Sequence, residues 1–231
     1  MGFESEAKMK TVAKEVLDSS FTGGPTKVVD EFSYGAGRTD LVLTKESETY
    51  RDHRLNVLGI NNPIERDSHL RAFLLLHSRD EISKDYFYRL GAMDERKKKP
   101  ALKWLISKGF VEELPEEKIR TAPHLRRHIT RSYSIELKLK NWKKAVKQAF
   151  RSKSFSDYQY VALDDEYIIR AIDNIDVFEE YDVGLVSIDQ EEEQYFVHYD
   201  PDRQTPYSPL NKWRLNETTM WDDLPVYASS D

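Results

Sequence analysis

The alternation of apolar and charged residues is sharpest in the segment 134–140, which reads Ser-Ile-Glu-Leu-Lys-Leu-Lys. Side chains of a β-strand point alternately to its two faces. The apolar residues are therefore predicted to share one face of a strand, and Glu136, Lys138 and Lys140 the other. A buried strand with this charged face needs a partner for it, because an unpaired buried charge is expensive.

Hydrophobic periodicity predicts an order of helices and strands along the whole chain. Predicted helices cover residues 8–19, a block within about 64–110, 142–149 and 166–178. Predicted strands cover 27–32, 39–44, 134–140, 158–163, 183–188 and 195–199. The tail from Pro201 is predicted to be irregular but packed.

This order predicts an α/β fold in which helices lie on both faces of a mixed sheet. The helical block interrupts that pattern, so it is predicted to be an insertion. We expect a discontinuous core of residues 1–46 and 130–231, with an inserted α+β module at residues 60–129.

Composition restricts the setting of this 231-residue chain. The absence of cysteine excludes disulfides, thiolate zinc sites and a cysteine nucleophile. The sequence has neither a signal-type apolar core at its N-terminus nor an apolar run of the roughly 20 residues that span a bilayer. A soluble cytoplasmic protein is therefore expected.

The net charge of −6 conceals an uneven distribution. Residues 96–153 hold 18 Lys and Arg against 5 Asp and Glu, whereas residues 154–231 hold 4 against 19. Clustered basic charge is typical of phosphate binding. The alternative is a set of solvated helix faces that pair with the acidic segments.

A metal site would explain the charged face of the strand at 134–140. Asp40 lies in another predicted strand, and a divalent cation held by Asp40 and Glu136 would place Lys138 beside a scissile phosphate. The leading hypothesis from these residues is a metal-dependent nuclease. The Glu-x-Lys pattern alone is weakly specific, because edge strands often carry charged pairs.

The arrangement of these residues resembles the PD-(D/E)XK nuclease superfamily, whose fold is that of restriction endonucleases and Holliday-junction resolvases. The resemblance rests on Asp40 at a strand, on Ile-Glu-Leu-Lys at 135–138 in the next core strand, and on the helix that follows. It covers residues of about 8–45 and 131–200. The proline of the first family motif is absent, since Gly-Arg-Thr at 37–39 precedes Asp40.

The resemblance implies a role for each matching residue. Asp40 and Glu136 would bind Mg2+, which prefers oxygen ligands, and the Leu137 carbonyl would complete the protein ligands. Mn2+ is expected to substitute for Mg2+. Lys138 would orient the attacking water or stabilise charge on the phosphate. Two further residues, Glu15 on the first helix and Gln148 on the later helix, would support the site.

The inserted block looks like a winged helix near its last helix, with the wing between residues 111 and 128. Such modules place a helix in the major groove, with phosphate contacts from flanking basic residues. The predicted DNA-binding residues are Arg96, Lys97, Lys98, Lys99, Lys103, Arg126 and Arg127. DNA is thus the expected partner, and a homodimer is expected because cutting both strands calls for two sites.

Two other classes of function stay open at this point. One is a non-catalytic DNA-binding protein or transcriptional regulator on a nuclease-like fold. The other is an interaction protein whose acidic C-terminal part pairs with the basic centre of a neighbour. A winged helix can also serve protein contacts, since fold alone does not fix function.

Overall fold

The computed structural model describes residues 2–17, 19–35, 37–91 and 93–221. The chain divides into two compact units. The first unit contains residues 2–46 and 129–212, and the second contains residues 47–128 and 213–221. The described residues 213–221 lie in the second unit, and the predicted core of residues 1–46 and 130–231 stays a prediction.

The first unit is built on a mixed six-stranded sheet with the order β1-β2-β6-β7-β8-β9. Strands β6, β7 and β8 run parallel to one another, and the remaining neighbours pair antiparallel. The strands are β1 (Lys27–Ser33), β2 (Arg38–Glu46), β6 (Ile129–Lys138), β7 (Tyr158–Asp164), β8 (Gly184–Asp189) and β9 (Gln194–Tyr199). Strands β3 to β5 belong to the second unit.

Helices cover both faces of this sheet. Helix α1 (Glu6–Val16) begins after Ser5, whose side chain accepts a hydrogen bond from the Lys8 amide, and it packs Met9 and Ala13 onto one face. Helix α2 (Ser19–Thr22) follows it. Helices α7 (Trp142–Arg151), α8 (Ile169–Ile172) and α9 (Ile175–Tyr181) supply the apolar layer on the opposite face.

The second unit joins helices to a small sheet with the order β3-β5-β4. Its elements follow one another as helix, strand, helix, helix, strand and strand, after an initial helix α3 (Glu48–Asp52) and a π-helical turn. They are α4 (Asp67–His77), β3 (Ile82–Ser83), α5 (Lys84–Arg89), α6 (Glu95–Ser107), β4 (Val111–Leu114) and β5 (Lys118–Thr121). Trp213 and its successors, within α10 (Pro209–Trp221), complete the unit.

The predicted α/β class with a mixed, helix-flanked sheet is confirmed, and two local predictions are wrong. The helix predicted for 166–178 is a 3-10 turn followed by α8 and α9, with a break at Asp173 and Asn174. The tail predicted to be irregular contains helix α10, whose Glu217 forms a buried ion pair with Arg54 at 2.7 Å. Residues 222–231 of that tail lie outside the described residues.

Candidate active site

The candidate acidic residues meet where strands β2 and β6 run side by side. Leu41 pairs with Ile135, and Asp40 and Glu136 are the next residues outward from that pair on the two strands. The backbone amide of Leu137 donates a 2.8 Å hydrogen bond to Asp40 Oδ2. The sheet register therefore brings together two carboxylates that are separated by almost a hundred residues in the sequence.

The alternation of the strand decides which way Glu136 points. Ile135 and Leu137 belong to the apolar cluster beneath helix α1. Glu136 lies between them, so its side chain points to the opposite face, on which α7 packs. A carboxylate here lies between the sheet and the apolar side of α7.

Glu136 is the most unusual side chain of the site. It is only 1% exposed, and neither of its carboxylate oxygens accepts a hydrogen bond from any described residue. Burial raises the pKa of Glu136 to about 7, the charge of Asp40 adds to the rise, and Thr39 and Lys138 oppose it. A buried carboxylate without hydrogen-bond donors is costly unless a cation compensates it.

The Lys138 ammonium lies close to this acidic pair, at the end of β6. Its Nζ is 3.8 Å from Asp40 Oδ2 and donates hydrogen bonds to the Leu137 carbonyl at 2.7 Å and to Glu6 Oε2 at 3.1 Å. The Lys138 side chain is 13% exposed, whereas that of Glu6 is about half exposed. The cation is thus positioned by a carbonyl and two carboxylates at an opening of the protein surface.

Glu6, and not Glu15, is the carboxylate that α1 brings to the site. Glu15 is exposed and lines a separate cleft with Ser20 and Tyr195. The two glutamates are nine residues apart on the helix, which corresponds to about 13 Å along the helix axis. Glu6 stands in the first turn of α1 directly after the capping Ser5, so the helix start could be predicted from the sequence, whereas the contact of Glu6 with Lys138 depends on the tertiary fold.

Gln148 lies on α7, next to the buried Ala149, which faces the sheet as Ala145 does. Its Oε1 atom is buried and accepts no hydrogen bond from any described residue. Among the described residues no hydrogen bond joins it to Glu136, so its supporting role stays a prediction.

Tyr34 is a neighbour of Glu136 that the sequence did not single out. The Tyr34 side chain is only 3% exposed. Burial raises the pKa of its phenol, its contact with Ser152 opposes that rise, and the negative charge of Glu136 raises the pKa further. A Cβ at Gly37 would lie 3.1 Å from the Tyr34 hydroxyl, which accounts for the glycine there. The electrostatic effect of Glu136 on Tyr34 depends on the tertiary fold, because the two residues lie far apart in the sequence.

A hard divalent cation fits the donors at this site. Asp40 and Glu136 offer carboxylate oxygens, and Leu137 offers a carbonyl that also accepts a hydrogen bond from Lys138. The carboxylate of Glu136 accepts no hydrogen bond from the described residues. Within the described ranges, no group of three or more His, Cys, Asp or Glu side chains could hold a metal ion. Waters would have to supply the remaining ligands, as they commonly do for Mg2+.

The predicted DNA-binding residues belong to the second unit, and most of those on α6 are exposed. Arg96, Lys99 and Lys103 recur every three or four residues and so share one side of the helix, and Lys97 is exposed beside them. Lys98 was predicted to contact DNA, but it is 1% exposed and donates hydrogen bonds to the carbonyls of Tyr88 and Leu90.

The two other predicted DNA-binding residues, Arg126 and Arg127, differ in exposure. Arg126 is exposed and lies over the ring of Tyr50, whereas Arg127 is half-buried. Arg126 is therefore the more accessible of the two for a phosphate contact.

No family model matches this chain, and neither a curated protein nor a solved structure matches it. None of the helices in the described part of the chain is long and apolar enough to cross a membrane. Any statement about function therefore depends on the site geometry and on the resemblance in its motif residues.

Proposed function

We propose that this chain is a metal-dependent endonuclease that hydrolyses DNA phosphodiester bonds. The observation that carries the proposal is the buried Glu136 carboxylate, whose oxygens accept no hydrogen bond in the described part of the chain and which lies in a site with Asp40 and Lys138. Structural ion pairs satisfy their carboxylates, whereas a metal-binding carboxylate leaves its oxygens free. This arrangement supports catalysis over a structural role for the charged strand.

In this proposal Asp40, Glu136 and the Leu137 carbonyl hold Mg2+, and Mn2+ substitutes for it. The bound cation would supply Lewis-acid polarisation of a phosphoryl oxygen and an activated water. Lys138 donates hydrogen bonds to the phosphate as negative charge develops. Glu6 positions the Lys138 ammonium, because it accepts one of its hydrogen bonds.

The finer fold assignments are part of the same proposal. The first unit takes the restriction endonuclease-like fold, and its mixed sheet with α1 and α7 on opposite faces supports this. The second unit is a winged helix, which its element order and its β3-β5-β4 sheet support. Helix α6, with its exposed basic side, then enters the major groove.

The proposed partner is duplex DNA, and a homodimer would place one active site on each strand. The proposed location is the cytoplasm. Restriction, repair and junction resolution share this chemistry. The substrate that is cut fastest will distinguish them.

A cleavage assay with a matched pair of lysine variants tests the proposal. Supercoiled plasmid, single-stranded DNA and branched DNA are incubated with Mg2+ or Mn2+ and with wild type, Lys138→Ala or Lys140→Ala. Lys140 is exposed, lies over the Tyr167 ring and does not reach the acidic pair, so it controls for the loss of one cation.

We expect wild type and Lys140→Ala to cut, and Lys138→Ala to bind DNA without cutting. Equal cutting by both variants would show that Lys138 is not catalytic. DNA binding without cutting by wild type would instead favour a DNA-binding regulator on a nuclease-like fold.

A further inference from the structure

A cleft of about 360 Å³ opens beside the candidate active site, within the first unit. Asp40, Leu137 and Glu6 form one side of it. Its other lining residues include three cations, Lys10, Lys14 and Arg38. A strand of nucleic acid that presents a phosphate to Asp40 would have to pass these cations.

Two acidic residues form ion pairs with the three cations. Asp30 binds both Lys10 and Lys14, while Glu31 accepts hydrogen bonds from Lys10 at 3.2 Å and from Arg38 at 2.9 Å. Partial burial tends to raise the pKa of the Asp30 carboxyl, but the ammonium groups of Lys10 and Lys14 hold that pKa below its ordinary value. The cations are thus held at the cleft by anions that belong to the protein itself.

The backbone of β1 is distorted in a way that produces this arrangement. Asp30 and Phe32 are paired in register with β2, but Glu31 between them has a φ of 53°. Consecutive residues of a regular strand point to opposite faces, yet Asp30 and Glu31 both reach the Lys10 ammonium. A left-handed residue other than glycine is strained, and such strain concentrates at functional sites.

We propose that this cleft binds the sugar-phosphate backbone of the cleaved strand, with Lys10, Lys14 and Arg38 contacting phosphates next to the scissile one. Asp30 and Glu31 occupy the phosphate positions in the free protein and are displaced as the strand binds. The inference rests on the proposed nuclease function. It assigns strand binding to the first unit, in addition to duplex binding by α6.

Two variants with opposite expected effects test the proposal. Lys10→Gln with Lys14→Gln removes phosphate contacts, whereas Asp30→Asn with Glu31→Gln removes the competing anions. The control is Lys144→Gln with Lys147→Gln, which removes two exposed lysines of α7 that do not line the cleft. Binding of a fluorescent single-stranded oligonucleotide is measured without divalent metal, over a range of salt concentrations, so that no cleavage is needed.

We expect the lysine variant of the cleft to bind more weakly and its salt dependence to fall by about 1.4 in log–log slope, since single strands contribute ~0.7 for each phosphate contact. The acidic-residue variant should bind more tightly, by roughly fivefold, the scale of one exposed ion pair. A merely structural role of the ion pairs would weaken binding in both variants or change it in neither, and either result would overturn the proposal.

The outcomes separate this inference from the proposed function. Opposite shifts in a protein that cuts no DNA would support the strand-binding cleft and refute the nuclease. Cutting by wild type with no shift in either cleft variant would refute the cleft and leave the nuclease in place. No binding of any oligonucleotide by wild type would overturn the cleft proposal directly.

Discussion

Replacing Glu136 by glutamine should stabilise the metal-free protein at neutral and alkaline pH. The unfolded chain ionises this carboxyl near 4.5, whereas burial and Asp40 raise the folded pKa to about 7. Below pH 4.5 the carboxyl is protonated in both states, so it changes stability little. Between the two values the unfolded state loses its proton first, so the free energy of unfolding falls as pH rises.

The size of the effect follows from the shift in pKa. Each unit corresponds to ~1.4 kcal/mol, so a rise from 4.5 to about 7 costs the folded state about 3 kcal/mol above pH 7. Glutamine keeps the shape of the side chain and carries no charge. Glu136→Gln should therefore be more stable than wild type by about 3 kcal/mol at pH 8 and nearly equal to it at pH 4.

Urea unfolding at pH 4 and pH 8, with EDTA present, measures this difference. Glu192→Gln is the matched control, because Glu192 is exposed in the turn before β9 and loses the same formal charge. A Glu136→Gln protein that is less stable than wild type at pH 8 would refute the reasoning. It would mean that the carboxylate makes a stabilising contact in the folded protein.

Metal binding and four other substitutions give further expected outcomes. Saturating Mg2+ should raise the thermal midpoint of wild type, by an amount equivalent to ~2.7 kcal/mol at a hundredfold excess over Kd, and should leave Glu136→Gln unchanged in a calorimetric scan. Lys103→Gln should lower the salt slope of duplex binding by about 0.9, because it removes a phosphate contact. Lys98→Gln should lower thermal stability and leave that slope unchanged, because its ammonium is buried against two carbonyls. Arg54→Met should cost roughly 3–5 kcal/mol in urea unfolding by leaving Glu217 buried and unpaired, and adding Glu217→Leu should restore part of the loss.

The strands that carry Asp40 and Glu136 could be predicted because strand periodicity is local, and the resemblance in the motif residues predicted that the two carboxylates meet. Most of the order of strands and helices followed from the same pattern. The registers of β2 and β6 then bring the two carboxylates side by side. The strands themselves depend on residues a few positions apart, whereas the register between β2 and β6 is a long-range feature.

The structure differs from the sequence-based expectation where long-range packing decides the placement of a side chain. Which glutamate of α1 reaches the site depends on where the helix crosses the sheet, and Glu6 rather than Glu15 contacts Lys138. Lys98 looks like part of an exposed basic run, yet its position on α6 turns it inward to the Tyr88 and Leu90 carbonyls.

The C-terminal helix illustrates the same limit. Its Glu217 is 163 residues from Arg54 in sequence, and the sequence pattern gave no sign of that ion pair. The apolar Trp213, Leu215 and Met220 are buried within α10, but Pro and Tyr residues just before it suggested an irregular tail.

The most direct test of the nuclease assignment compares plasmid nicking by wild type, Glu136→Gln and Glu192→Gln in Mg2+ at pH 8. Urea unfolding and duplex binding of the same three preparations show that each is folded and binds DNA. The account predicts that wild type and Glu192→Gln convert supercoiled plasmid at equal rates, while the more stable Glu136→Gln binds it without cutting. Cutting by Glu136→Gln at the wild-type rate would contradict the account.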